Sequence, residues 1–195
     1  EGTAAQATVA PAAREARMTE SAPAVNEPSG TEEATKKEKR FQKGLGMAGI
    51  DIGASFGNSE TIYVSAGQDL ANALDAAPIG AIVMLSNGTY SGGMIYVKRA
   101  VRICGESREG VILDGIQLHV SDGALLAVKN VTIVTGRNDY GIWMNGHESK
   151  CIVANTTLKS CGLWLSDNGG KSVVVASGVQ IDNPPKRGIT CCNDT

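Results

Sequence analysis

The sequence predicts an all-β fold, a single-stranded right-handed parallel β-helix of about six coils. Three observations predict it. The segments LLAVKNVTI (Leu125–Ile133), CIVANTTL (Cys151–Leu158) and VVVASGVQI (Val173–Ile181) align with Ile133, Leu158 and Ile181 as equivalents, 25 and 23 residues apart. A second register, GIWM (Gly141–Met144), GLWL (Gly162–Leu165) and GITC (Gly188–Cys191), recurs beside it at spacings of 21 and 26. Two strand registers that return in step describe the coils of a solenoid, whereas a sandwich gives like strands no reason to recur. The composition agrees: of 195 residues 42% are hydrophobic but only 4% aromatic, and 24 are glycine. That combination specifies a core of Val, Ile and Leu in a chain that turns often.

The elements follow in order. Residues 1–58 read as a low-complexity arm, extended or disordered, rich in Ala, Glu, Pro, Thr and Lys and too poor in apolar side chains to offset its ordering entropy. Within the arm, residues 44–57 (GLGMAGIDIGASFG) alternate Gly with apolar residues, as a strip laid against another surface would. Residues 59–195 form the body. Thr61–Ser65 (TIYVS) reads as a strand from its β-branched and aromatic content. Asp69–Ala77 (DLANALDAA) reads as a short helix with Leu70 and Leu74 on one face, ended by Pro78, and sits where a coil stack needs a cover. Ala81–Leu85, Met94–Val97, Val101–Cys104 and Val111–Leu113 then follow as strands separated by Gly and Asn turns. Coils stack about 4.8 Å apart, so equivalent side chains form ladders. The alignment puts Cys151 in one column with Leu126 and Val174, and Cys191 in another with Met144 and Leu165. The C-terminal CCNDT supplies no cap comparable to the helix.

At Asp69–Gly115 the chain resembles a family. DLANALDAAPIGAIVMLSNGTYSGGMIYVKRAVRICGESREGVILDG is similar to the opening of the pectin lyase-like right-handed β-helix proteins, nearest to the pectin methylesterase branch. The shared pattern is a capping helix ending in Ala-Ala-Pro, an apolar strand, Gly-Thr-Tyr, two more strands, and a Gly-flanked turn before Ile-Leu-Asp-Gly. The resemblance implies the β-helix fold. The catalytic motifs of that family (QTAV, DFIFG and LGRPW in the esterases, NTD, GHG and RIK in the polygalacturonases) do not occur here. Their nearest counterparts, Gly146-His147-Glu148 and Asn138-Asp139, read as turn residues.

The remaining features narrow the function. Eighteen basic against twenty acidic side chains exclude a general nucleic-acid binder. No apolar run reaches the roughly 20 residues of a membrane helix. The chain opens on Glu1, which reads as a processed N-terminus and points to a secreted or organellar protein. Five cysteines (Cys104, Cys151, Cys161, Cys191 and Cys192) lack metal-ligand spacing and read as thiols packed in the core. His119 is out of phase with Ile116, Leu118 and Val120 and should face solvent. With His147 it makes no metal site, and neither cofactor nor metal is expected. Sugar hydrolysis needs two carboxylates at a defined separation. Asp114, Asp122, Asp139 and Asp167 all read as turn residues, with Asp139 and Asp167 the best-placed pair. Of four Asn-x-Thr triplets, those at Asn130 and Asn155 are repeat equivalents, where a turn asparagine is expected.

Trp143 and Trp164 occupy the third place of equivalent strands. With Ile142, Met144, Leu163 and Leu165 inward, both indoles should point outward on adjacent coils beside Tyr140. The expectation is a non-catalytic scaffold, an accessory subunit that meets other protein subunits through its N-terminal arm and its open C-terminal coil. The alternative is a carbohydrate-binding or carbohydrate-active β-helix that uses Tyr140, Trp143 and Trp164, with Asp139 and Asp167, on a polysaccharide.

Overall fold

The computed structural model describes Lys43, Phe56 and residues 60–121, 123–136, 140–167, 171–184 and 188–193. Most of the arm therefore lies outside the described residues. The body is a parallel β-helix of five turns. Among the described residues sixteen strands fall into three sheets, each running along the solenoid axis, and every strand pair is parallel.

Sheet A holds β1 (Thr61–Val64), β2 (Ile82–Leu85), β5 (Val101–Gly105), β8 (Leu125–Lys129), β11 (Lys150–Ala154) and β14 (Val173–Ser177). Sheet B holds β3 (Gly88–Ser91), β6 (Val111–Asp114), β9 (Thr132–Val134), β12 (Thr157–Lys159) and β15 (Gln180–Asp182). Sheet C holds β4 (Met94–Val97), β7 (Gln117–Ser121), β10 (Tyr140–Asn145), β13 (Gly162–Asp167) and β16 (Ile189–Asn193). One strand from each sheet makes a coil. Sheet A has one strand more than the others because β1 has no companions in sheets B and C: the chain after it makes helix α1 (Leu70–Ala76) instead.

Helix α1 is set by its ends. Asp69 caps it by accepting from the Asn72 backbone N–H at 3.1 Å, and Ala77, held extended before Pro78, stops it. Its inner residues Leu70 and Leu74 are buried over the first coil. Tyr90 then ties the edge of the stack together, its hydroxyl 2.7 Å from the Val64 carbonyl and 2.9 Å from that of Ser86.

Inside, side chains alternate in and out along each strand, and the inward ones stack in columns. Val101, Leu126 and Cys151 make one buried column that continues to Val174, and Leu113, Ile133 and Leu158 another that continues to Ile181. The column order therefore matches the internal alignment of the sequence. On the last coil the columns lose their cover: Ile142 is 0% exposed, Leu163 3% and the equivalent Ile189 57%. Cys191 is exposed for the same reason, which corrects the expectation of a core thiol there.

Corners between sheets A and B depend on single left-handed residues. Asn130 (φ 56°), Asn155 (φ 44°) and Gly178 (φ 64°) stand at the same point of three successive coils. Asparagine tolerates this conformation because its short amide bonds locally. The Asn155 amide donates to Asn130 Oδ1 at 2.9 Å and its oxygen lies 3.4 Å from Arg108 Nη1, so the corners form a short ladder of their own. Both triplets at these positions are therefore accounted for by backbone geometry.

Candidate functional site: an aromatic ladder outside sheet C

Sheet C carries its chemistry on the outer face. Ile142 and Met144 are fully buried, so the alternation of β10 turns Trp143 outward, and the same holds for Trp164 between Leu163 and Leu165. The two tryptophans are direct register partners on adjacent coils, with ring centroids 5.9 Å apart and planes inclined by 36°. Both are half-buried.

The ladder is longer than the repeat reveals. Trp143 is in register with His119 of β7, and His119 with Tyr96 of β4. His119 stacks on Trp143 at 4.8 Å with only 10° between planes, and Tyr96 lies 5.0 Å from His119 at 43°. Tyr140 meets Trp164 edge to face at 4.6 Å, and its carbonyl accepts from Gln117 Nε2 at 2.9 Å. Four rungs and one lateral ring thus run across four coils. His119 points outward as its phase requires, but it sits between two rings and is only half-buried rather than bathed in solvent.

Stacking of this kind uses up ring faces. Each pair contributes about 0.5–1.5 kcal/mol beyond area burial, and the coil spacing brings the rings into range without any further element. What the ladder offers outward is ring edge, except at its first rung, where Tyr96 is 56% exposed and Met94 on the same face 42%. Beside the rings run Ser121, Asn145 and Ser166 in mutual register, a polar column parallel to the aromatic one. The indole Nε1 atoms of Trp143 and Trp164 and the hydroxyl of Thr190, the next residue in register, are buried without a hydrogen-bond partner among the described residues.

Of the expected carboxylate pair, Asp139 lies outside the described residues. Asp167 closes β13, its backbone in register with Asn193. Among the described residues no group of three or more His, Cys, Asp or Glu side chains is placed to hold a metal ion. The thiols are spread over the body: burial pushes Cys151 up to about 12, and burial also raises Cys161 and Cys104, with Thr135 opposing at the first and Lys129 and Arg102 at the second. Among the described residues no helix is long and apolar enough to cross a membrane.

Comparison of the chain with protein-family models, with curated proteins and with solved structures found no match. The class that fold and site define is therefore a parallel β-helix with an external aromatic ladder on one sheet.

The sequence reading turned His119 outward but placed neither it nor Tyr96 in the ladder, because their strands, MIYV and IQLHV, share no motif with GIWM and GLWL. The signal was nevertheless present: both stand between two inward aliphatic residues, as Trp143 and Trp164 do.

Proposed function

We propose that this chain is a non-catalytic scaffold of the pectin lyase-like kind, an accessory subunit that meets other proteins through the aromatic face of sheet C, with the N-terminal arm as a second attachment. The ladder carries the reading. A sugar-binding platform presents ring faces to the ligand, and here His119 and Trp143 stack face on face while Trp164 lies against Trp143 at 36°. A flat patch of aromatic edges with Met94 and Tyr96 exposed at one end suits a protein interface, where Trp, Tyr and Met are enriched.

A carbohydrate reading keeps one specific support, the exposed Tyr96 ring beside the Ser121, Asn145 and Ser166 column. The deciding experiment places a photo-crosslinking amino acid at Tyr96, with Tyr63 on sheet A as control, and follows the protein in native extract by size exclusion. The interface reading expects elution well above the 20.2 kDa monomer and a discrete protein adduct from position 96 alone. A monomer that instead binds polysaccharide on a glycan array, and loses that binding in Trp143→Ala, would overturn it.

A further inference from the structure

The outside of sheet A carries an apolar strip where a solvent-facing sheet has no reason for one. Arg102, Ala127, Ile152 and Val175 occupy successive outward positions of one column, with Leu125 beside them. Leu125 and Ile152 are nevertheless buried, in one apolar cluster with Phe56, which is itself only 3% exposed. Arg102 completes the seat: its guanidinium carbon is 4.8 Å from the Phe56 ring centroid, and its Nη2 donates to the Gly80 carbonyl at 3.3 Å. Gly80 has φ +83°, and a Cβ there would collide with the Phe56 backbone carbonyl. Outward apolar residues from three coils, a glycine that leaves room and a cation over the ring make a groove shaped for one aromatic side chain.

We infer that this groove is the docking site of the chain's own N-terminal segment, with Phe56 as the anchor that straps the arm to the body in cis. Only three residues, 57 to 59, separate Phe56 from Glu60 at the start of the body, a tether too short to favour a second copy over the same chain. Phe56 sits on sheet A, not at the cap, and its departure uncovers an apolar strip formed by Leu125, Ile152 and Val175. The inference does not depend on what sheet C meets.

The chain has two phenylalanines, Phe41 and Phe56, so full-length protein labelled with 4-fluorophenylalanine has two 19F resonances, and Phe56→Leu assigns them. The expected result is a Phe56 signal with the linewidth of the body and a several-fold smaller relaxation enhancement by a soluble paramagnetic agent than Phe41 shows. It should not change on serial dilution. Ala127→Glu, which puts a carboxylate under the ring without touching the interior, should turn the signal narrow and solvent-relaxed while far-UV circular dichroism stays constant. A wild-type Phe56 signal as narrow and as solvent-relaxed as that of Phe41 overturns the strap, and a signal that changes on dilution overturns docking in cis. Should Ala127→Glu unfold, the wild-type measurement decides alone.

Discussion

Replacing Asn155 by alanine and by glycine separates the two things that residue does at its corner. Its φ of 44° is left-handed, and its side chain bonds Asn130 at 2.9 Å and faces Arg108 at 3.4 Å. Both variants lose the side-chain bonds, which are exposed and worth about 0.5–1 kcal/mol together. Alanine in addition takes on the left-handed penalty of a residue with a Cβ, about 1 kcal/mol relative to asparagine. Its total loss is then about 1.5–2 kcal/mol. Glycine escapes that penalty and also the left-handed strain that asparagine itself bears at this φ, which offsets the entropy of a freer unfolded chain and leaves a net loss of about 0.5–1 kcal/mol, that of the bonds alone. The order Asn > Gly > Ala follows, with about 1 kcal/mol, or roughly 3 °C in Tm, between the last two. Gly178 at the equivalent corner of the next coil is the fold's own version of the substitution. Urea denaturation with equal slopes, checked by thermal melts, measures it. If Asn155→Ala proves as stable as Asn155→Gly, the corner is not held by backbone conformation and the account of the asparagine ladder is wrong.

Three further outcomes are expected. Tyr90→Phe removes the hydroxyl that serves the Val64 carbonyl at 2.7 Å in a site 2% exposed, and should lower stability by about 1–3 kcal/mol in a thermal melt without altering the far-UV spectrum. Burial pushes the folded pKa of Cys151 up to about 12 from the ordinary thiol value of 9.0, so the unfolded chain releases its proton first as pH rises. Its contribution to stability is therefore complete below about pH 9 and declines between pH 9 and 12, a decline that Cys151→Ala should weaken in denaturation curves taken across that range. On sheet C, a double-mutant cycle of Trp143→Ala and Trp164→Ala should give a coupling of about 0.5–1.5 kcal/mol, together with loss of the near-ultraviolet dichroism of the indole pair; a coupling of zero would mean the rings merely sit side by side.

Much of the fold was legible because a solenoid writes its geometry into the sequence as a period. Ile133, Leu158 and Ile181 recur at 25 and 23 residues and are one column of the core. The outward placement of Trp143 and Trp164 followed from the same alternation. The capping helix was legible too, from Leu70 and Leu74 on one face and Pro78 at its end, whereas the pairing of β1 with β2 in a coil without other strands came only from the structure. The exposure of Cys191 depends on what lies beneath it, which no column alignment contains.

The sequence by itself determined what is local and periodic: strand phase, the stop of the capping helix at Pro78, the turn asparagines at Asn130 and Asn155, and the pairing of the two tryptophans. Tertiary structure alone decided what is brought together from unlike segments. Tyr96 and His119 join the ladder because adjacent coils are stacked one strand spacing apart, whatever their residues. Phe56 reaches Leu125 and Ile152 across some seventy and ninety-six positions. Periodicity reports only which residues repeat, whereas contact between segments that do not repeat is set by the packing of the whole stack, and both candidate surfaces of this protein arise from such contacts.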